Sequence, residues 1–195
     1  MNTTTMMMVA AAAMISTAAT AGDFDNTAVK LTAQTDAYSI SAKAPETGAT
    51  EFAVSVTTAP VDVTATWSRN GAVDNYAIKA GKEVEVTGPV YAGASAEFTF
   101  GDSYTADTRT LVATPYVGVA HTIGALTPYA EVGYSFNSTS NDVLDFARND
   151  SYLEVGASYA VTPAMAVKLS VSETRDINFK NAGDKNATVG ITVKF

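Results

Sequence analysis

The sequence predicts an all-β fold: an antiparallel up-and-down transmembrane β-barrel of ten strands, with eight as the alternative count. Three observations carry that expectation. Apolar residues alternate with polar or very small ones at period two, segment after segment. The segments are joined alternately by short and long connections, the rhythm of a barrel with tight turns at one rim and loops at the other. The chain also stops on Phe195, the last residue of an alternating segment.

The elements follow in chain order. Residues 1–21 carry no charged side chain, and residues 6–15 (MMMVAAAAMI) are uniformly apolar. That run is too short to span a bilayer, which takes about 20 helical residues, but it suits the core of a signal peptide. Ala19-Thr20-Ala21 matches an A-x-A cleavage pattern, so cleavage is expected after Ala21. The segment departs from the usual pattern in lacking Lys or Arg near its start. Residues 22–34 read as an N-terminal extension, and residues 35–195 as one barrel domain.

Within the barrel, strands are expected at 36–43, 50–58, 61–68 and 73–79, with Ala59-Pro60 as a short turn and a glycine-containing turn at 69–72. Val84 and Val86 share parity with Val90, so one long strand over 83–101, interrupted at Gly88-Pro89, is an alternative. Six later strands show the alternation most clearly. Phe98 and Phe100 alternate with Glu97 and Thr99, Val117 and Val119 with Tyr116 and Gly118, and Val132 and Tyr134 with Glu131 and Gly133. Leu153 and Val155 alternate with Glu154 and Gly156, Val167 and Leu169 with Lys168 and Ser170, and Val189, Ile191, Val193 and Phe195 with Gly190, Thr192 and Lys194. An even strand number is expected if both termini lie on one side of the membrane.

Composition narrows the function classes. The chain has 12 Lys+Arg against 20 Asp+Glu, a formal net charge of −8, and no Cys. The acidic balance excludes the basic patch that nucleic acid requires. The absence of Cys excludes disulfides, thiolate metal sites and thiol nucleophiles. Charged residues make up 16% of the chain, below the roughly 25% of soluble domains. The polar faces therefore hold Gly, Ser and Thr where a solvated face would hold Lys and Glu. A secreted or periplasmic β-sandwich, its apolar faces forming a core, is the alternative architecture.

Aromatic residues sit at the ends of the apolar faces. Trp67, Phe98, Phe100, Tyr134 and Phe136 lie toward the loop side, and Tyr159 and Phe195 toward the short-turn side. Two such girdles are expected where amphipathic rings meet the membrane interfaces. The final segment VGITVKF, with Val189, Ile191, Val193 and the terminal Phe195, resembles the C-terminal assembly signal of small bacterial outer-membrane β-barrel proteins, the OmpA/OmpX-like or porin-like class. The resemblance covers both ends of the chain and its dyad strands. It implies an outer-membrane location in a Gram-negative cell, lipid around the barrel, and recognition of the last strand by the barrel-assembly machinery.

Little in the chain points to chemistry. His121 is the lone imidazole, at the short-turn end of its strand, with no nucleophile in a recognisable motif beside it. The expectation is a protein that is not an enzyme and holds no cofactor. Glu131, Glu154 and Lys168 fall at similar heights on three consecutive strands and are expected to cluster in the lumen, with Glu97 and Arg109 as additional members. A lumen charge is costly unless paired or hydrated, so the cluster reads as an ion-pair plug or as a selectivity element. Asp142, Asp145, Asp150, Asp176 and Asp184 could bind divalent cations, although a dedicated Ca²⁺ loop spacing is missing. The inner-face Gly93, Gly118, Gly133, Gly156 and Gly190 make room in a tight lumen. Two roles stay open: a structural or surface-exposed barrel, and a narrow porin-like pore for small solutes. Barrels of about eight strands are filled by their own side chains, which weighs toward the structural role.

Overall fold

The computed structural model describes residues 25–58, 60–101, 109–140, 148–176 and 182–195. They form eleven strands: β1 (Asn26–Gln34), β2 (Tyr38–Pro45), β3 (Thr50–Thr57), β4 (Asp62–Asn70), β5 (Val73–Thr87), β6 (Val90–Gly101), β7 (Arg109–Ala120), β8 (Leu126–Ser140), β9 (Arg148–Thr162), β10 (Met165–Asp176) and β11 (Ala182–Lys194). Each strand pairs antiparallel with the next in sequence, and β1 pairs with β11 to close the barrel. The sheet therefore has no free edge, which removes the unpaired backbone groups an open sheet would leave in a membrane. Closure also replaces the β-sandwich alternative.

The strand number is eleven, not ten or eight. The ten expected strands correspond to β2–β11, and the eleventh comes from residues 26–34, which were expected to lie outside the barrel. They alternate like the rest: Val29, Leu31 and Ala33 share one face, while Lys30, Thr32 and Gln34 share the other. An odd strand count forces the closing pair to be parallel, from Asn26 opposite Asn186 to Gln34 opposite Lys194. The two ends of the barrel chain consequently lie at opposite rims, and the even-number expectation fails because its premise of termini on one side fails.

The alternative long strand over 83–101 is also replaced. Val84 and Val86 belong to β5, which turns at residues 88–89 and returns as β6. Gly88 takes φ 51° there, a left-handed conformation that costs glycine little. Gly71, at φ 63°, plays the same part in the two-residue connection after Asn70.

The short connections 35–37, 58–61, 88–89, 121–125 and 163–164 share one rim with Phe195. The other rim carries 46–49 and 71–72 together with Asn26 and the strand ends Gly101, Arg109, Ser140, Arg148, Asp176 and Ala182; residues 102–108, 141–147 and 177–181 fall outside the described residues. Residues 1–24, including the expected signal peptide and cleavage site, also lie outside them.

Period two sorts the side chains. Large apolar residues such as Ile40, Val54, Ile78, Val117, Val155 and Leu169 are exposed on the outward face. The buried described residues are few: Thr27, Ala28, Gly118, Gly133, Ser138, Ser151 and Val189. A soluble fold would show a contiguous buried core; this molecule presents its apolar face outward.

Candidate functional site: the lumen

The inner wall of β6–β9 is built from a short vocabulary of Tyr, Glu and Gly. In β6 and β7 the sequences Tyr91-Ala92-Gly93 and Tyr116-Val117-Gly118 run antiparallel, so Tyr91 lies across from Gly118 and Gly93 across from Tyr116. In β8 and β9 the sequences Tyr129-Ala130-Glu131-Val132-Gly133 and Tyr152-Leu153-Glu154-Val155-Gly156 do the same. Tyr129 faces Gly156, Glu131 faces Glu154, and Gly133 faces Tyr152. Each ring lies over the glycine opposite it, where a Cβ would collide with the ring. An aromatic ring over a cross-strand glycine restores packing that the bare backbone lacks.

The rings aim their hydroxyls at carboxylates. Tyr91 donates to Glu131 Oε2 at 3.1 Å and Tyr152 to Glu131 Oε1 at 2.5 Å. Tyr129 donates to Glu154 Oε1 at 2.5 Å, and Tyr116 to Glu83 Oε2 at 3.4 Å. Hydrogen bonds to an ionised acceptor are the stronger kind. They matter here because two like charges directly across a strand pair repel, and Glu131 and Glu154 are such a pair.

Lys168 completes the arrangement. Its Nζ lies 3.4 Å from Glu154 Oε1 and 4.4 Å from the centroid of the Tyr129 ring, a combined ion pair and cation–π contact. The Lys168–Glu154 bridge joins two of the three expected cluster members. Glu131 stands beside Glu154 but is held by Tyr91 and Tyr152. Glu97 faces the lumen across from Lys79 and Val112, in the register row of Asn137, six residues along β8 from Glu131. It is therefore not part of the group. Arg109 opens β7, and its side chain lies outside the described residues.

Around these groups is a cavity of about 470 Å³, lined by Glu83, Tyr91, Tyr129, Glu131, Glu154 and Lys168 among others. It reaches Gly88 and Pro89 and so opens at the short-turn rim. His121 sits at that rim, exposed, its backbone N–H donating to Pro128 O at 3.1 Å. Among the described residues no group of three or more His, Cys, Asp or Glu could hold a metal ion. Asp142 and Asp145 lie outside those residues, as does the rest of their loop.

On the outward face, Phe52, Trp67, Tyr76 and Phe100 form one unbroken register row across β3–β6. Phe52 stacks on Trp67 at 5.4 Å and Tyr76 on Phe100 at 5.7 Å between ring centroids. Phe98 leans on Phe100 at 5.8 Å. Tyr134, Phe136 and Tyr159 lie on the same outward parity, as do Val189, Ile191 and Val193 of the last strand, and Phe195 follows the strand's final residue, Lys194. Phe195 N–H donates to Gln34 O at 3.1 Å, which ties the C-terminus to β1.

Sequence reasoning placed the glycines and four of the lumen charges, Glu97, Glu131, Glu154 and Lys168, on the inner face but missed the tyrosines as a system. The signal was present: Y-x-G occurs in two adjacent strands, and Y-x-E-x-G in the next two. Antiparallel pairing of two such copies makes reciprocal ring-over-glycine contacts.

The chain matches, over residues 7–195, the family model described as outer membrane protein beta-barrel domain. A search of curated proteins gave no match.

Proposed function

Because the chain belongs to the outer-membrane β-barrel domain family, we propose that this barrel is a narrow, water-filled pore for small hydrophilic solutes. The observation that carries this reading is the wetness of the inner wall. Of the buried described residues, only Ala28, Gly118 and Gly133 face inward, and two of these are glycines. The charged side chains inside keep access to water: Lys168 is 50% exposed and Asp62 41%. Barrels of about eight strands have filled interiors, and barrels of about 16 strands enclose wide channels. Eleven strands lined mostly by Ser, Thr, Gly and Ala fall between, with room for water and small solutes. The outward apolar face and its aromatic row meet lipid in this reading, and the last strand is the part offered to the assembly machinery.

The test uses the folded protein in planar bilayers, with folding verified by its heat-dependent migration on SDS gels. Small, reproducible unit currents, and swelling of proteoliposomes in a small sugar, are expected. A folded barrel that passes neither ions nor sugar would assign the protein to a structural, loop-presenting role instead.

A further inference from the structure

The closing pair of strands brings together lysines that are far apart in sequence. Lys168 of β10 pairs with Gly190 of β11, Gly190 with Lys30 of β1, Lys30 with Lys43 of β2, and Lys43 with Glu51 of β3. All of these share inward parity, so the row is an arc on the lumen wall. Its two flanking lysines are neutralised: Lys168 by Glu154 and Lys43 by Glu51, each at 3.4 Å.

Lys30 is different. It is exposed to water, and among the described residues no carboxylate bridges it. Lys168, Lys43 and Lys79 are among the charges that act on its ammonium, and Glu51, a carboxylate that also acts on it, is already engaged by Lys43. Beside it, Gly190 is the one inner-face glycine of the five with no ring over it. A Cβ there would meet Lys168 Cβ at 3.6 Å and Lys30 O at 3.9 Å, ordinary contacts with space left above. The result is an unmatched positive charge at the edge of a one-residue gap, flanked on both sides by further ammonium groups.

We propose that Lys30, with Lys168 and Lys43 beside it and the gap over Gly190 as its floor, binds a small oxyanion, a phosphate or a carboxylate, inside the lumen. This deepens the pore reading and rests on it for the role of the site as a step for anionic solutes. An ammonium gains most from an oxyanion, through charge-assisted hydrogen bonds. The low-dielectric barrel wall around the three ammonium groups focuses that attraction. The carboxylates of Glu83, Glu131 and Glu154 along the same lumen keep the site from becoming a trap, as passage requires binding weak enough to release.

The experiment titrates inorganic phosphate, and in a parallel arm succinate, into the full-length barrel folded in detergent, with binding read by calorimetry. Saturable binding is expected in the parent protein. It should weaken at least about tenfold in Lys30→Gln, the equivalent of losing one hydrogen bond to a charged group. It should vanish in Gly190→Glu, whose carboxylate would fill the gap and bridge Lys30 and Lys168. Lys185→Gln, which removes an equal charge at the loop rim, should bind as the parent does. Binding of phosphate alone would define a phosphate site, and binding of both probes a general oxyanion site. No saturable binding, or parental binding in Lys30→Gln, would overturn the proposal. If Gly190→Glu does not fold, Lys30→Gln decides. A barrel that binds phosphate through Lys30 yet passes no current would sink the pore and keep the site. A conducting barrel indifferent to Lys30 would do the reverse.

Discussion

The phenol ring of Tyr116 occupies the space that a side chain at Gly93 would need, directly across the β6–β7 pair. Tyr91 and Gly118 repeat the contact two residues along with the roles exchanged. The two joints lock one register, because a slip of one residue in either strand would turn that strand's tyrosine and glycine outward and break both contacts.

The first prediction concerns these joints. Gly93→Ala should destabilise the barrel by about 1–3 kcal/mol, the usual cost of overpacking. Gly190→Ala, where a Cβ has room, should be near neutral. The measurement is the urea midpoint of the folded, heat-shiftable band. Tyr116→Ala in the Gly93→Ala background should recover part of the loss, since the colliding ring is gone. Equal effects at Gly93 and Gly190 would refute the packing account.

A second prediction concerns the paired carboxylates. Glu154→Gln removes the ion-pair partner of Lys168 and leaves its charge free in the lumen. The reversal potential across a salt gradient should move toward anion preference. Glu131→Gln should move it in the same direction, since it also removes a negative charge, while Tyr91 and Tyr152 lose a charged acceptor. If both variants matched the parent in stability and in selectivity, the lumen carboxylates would be neither plug nor filter.

Topology supplies a third. The chain has no Cys, so single cysteines report cleanly. Asp25→Cys, just before β1, should label from the same side as Ala72→Cys in the 71–72 connection. It should label from the opposite side to Ala164→Cys, which shares the rim of Phe195. A membrane-impermeant maleimide on intact cells, then on lysed cells, reads the sides. Asp25→Cys behaving like Ala164→Cys would exclude the parallel β1–β11 closure.

The fourth uses the single tryptophan. Trp67 stacks on Phe52 on the outward face, and its indole N–H donates to Asp74 at 3.2 Å. This places an apolar body against lipid and a polar edge toward the rim, the habit of interfacial tryptophans. Its fluorescence in proteoliposomes should be quenched by lipids brominated near the headgroup more than by lipids brominated at the chain end. Quenching by aqueous acrylamide alone would place Trp67 off the lipid face.

Much of the architecture was legible in the residues taken one strand at a time. Alternation at Val189, Ile191, Val193 and Phe195 assigns faces without any partner strand, because the pleat itself has period two. The same logic put Glu131, Glu154, Lys168 and the inner glycines on the lumen side and Trp67 and Phe100 outside. β1 was missed although Val29, Leu31 and Ala33 alternate. Its role is closure, and closure depends on a partner at the far end of the chain: Asp25 and Lys185, which hydrogen-bond beside it, are 160 residues apart.

By itself, then, the sequence determined an all-β chain with a polar, charge-poor inner face and an apolar, aromatic-ended outer one, since each depends only on neighbours within a strand. The tertiary structure alone decided the strand number, the parallel closing pair, the separation of the termini, the seating of each tyrosine over its glycine, and the row of Lys168, Lys30 and Lys43. Those are matters of register between strands. Register is set by the closed set of pairings around the whole barrel, and no single strand contains it.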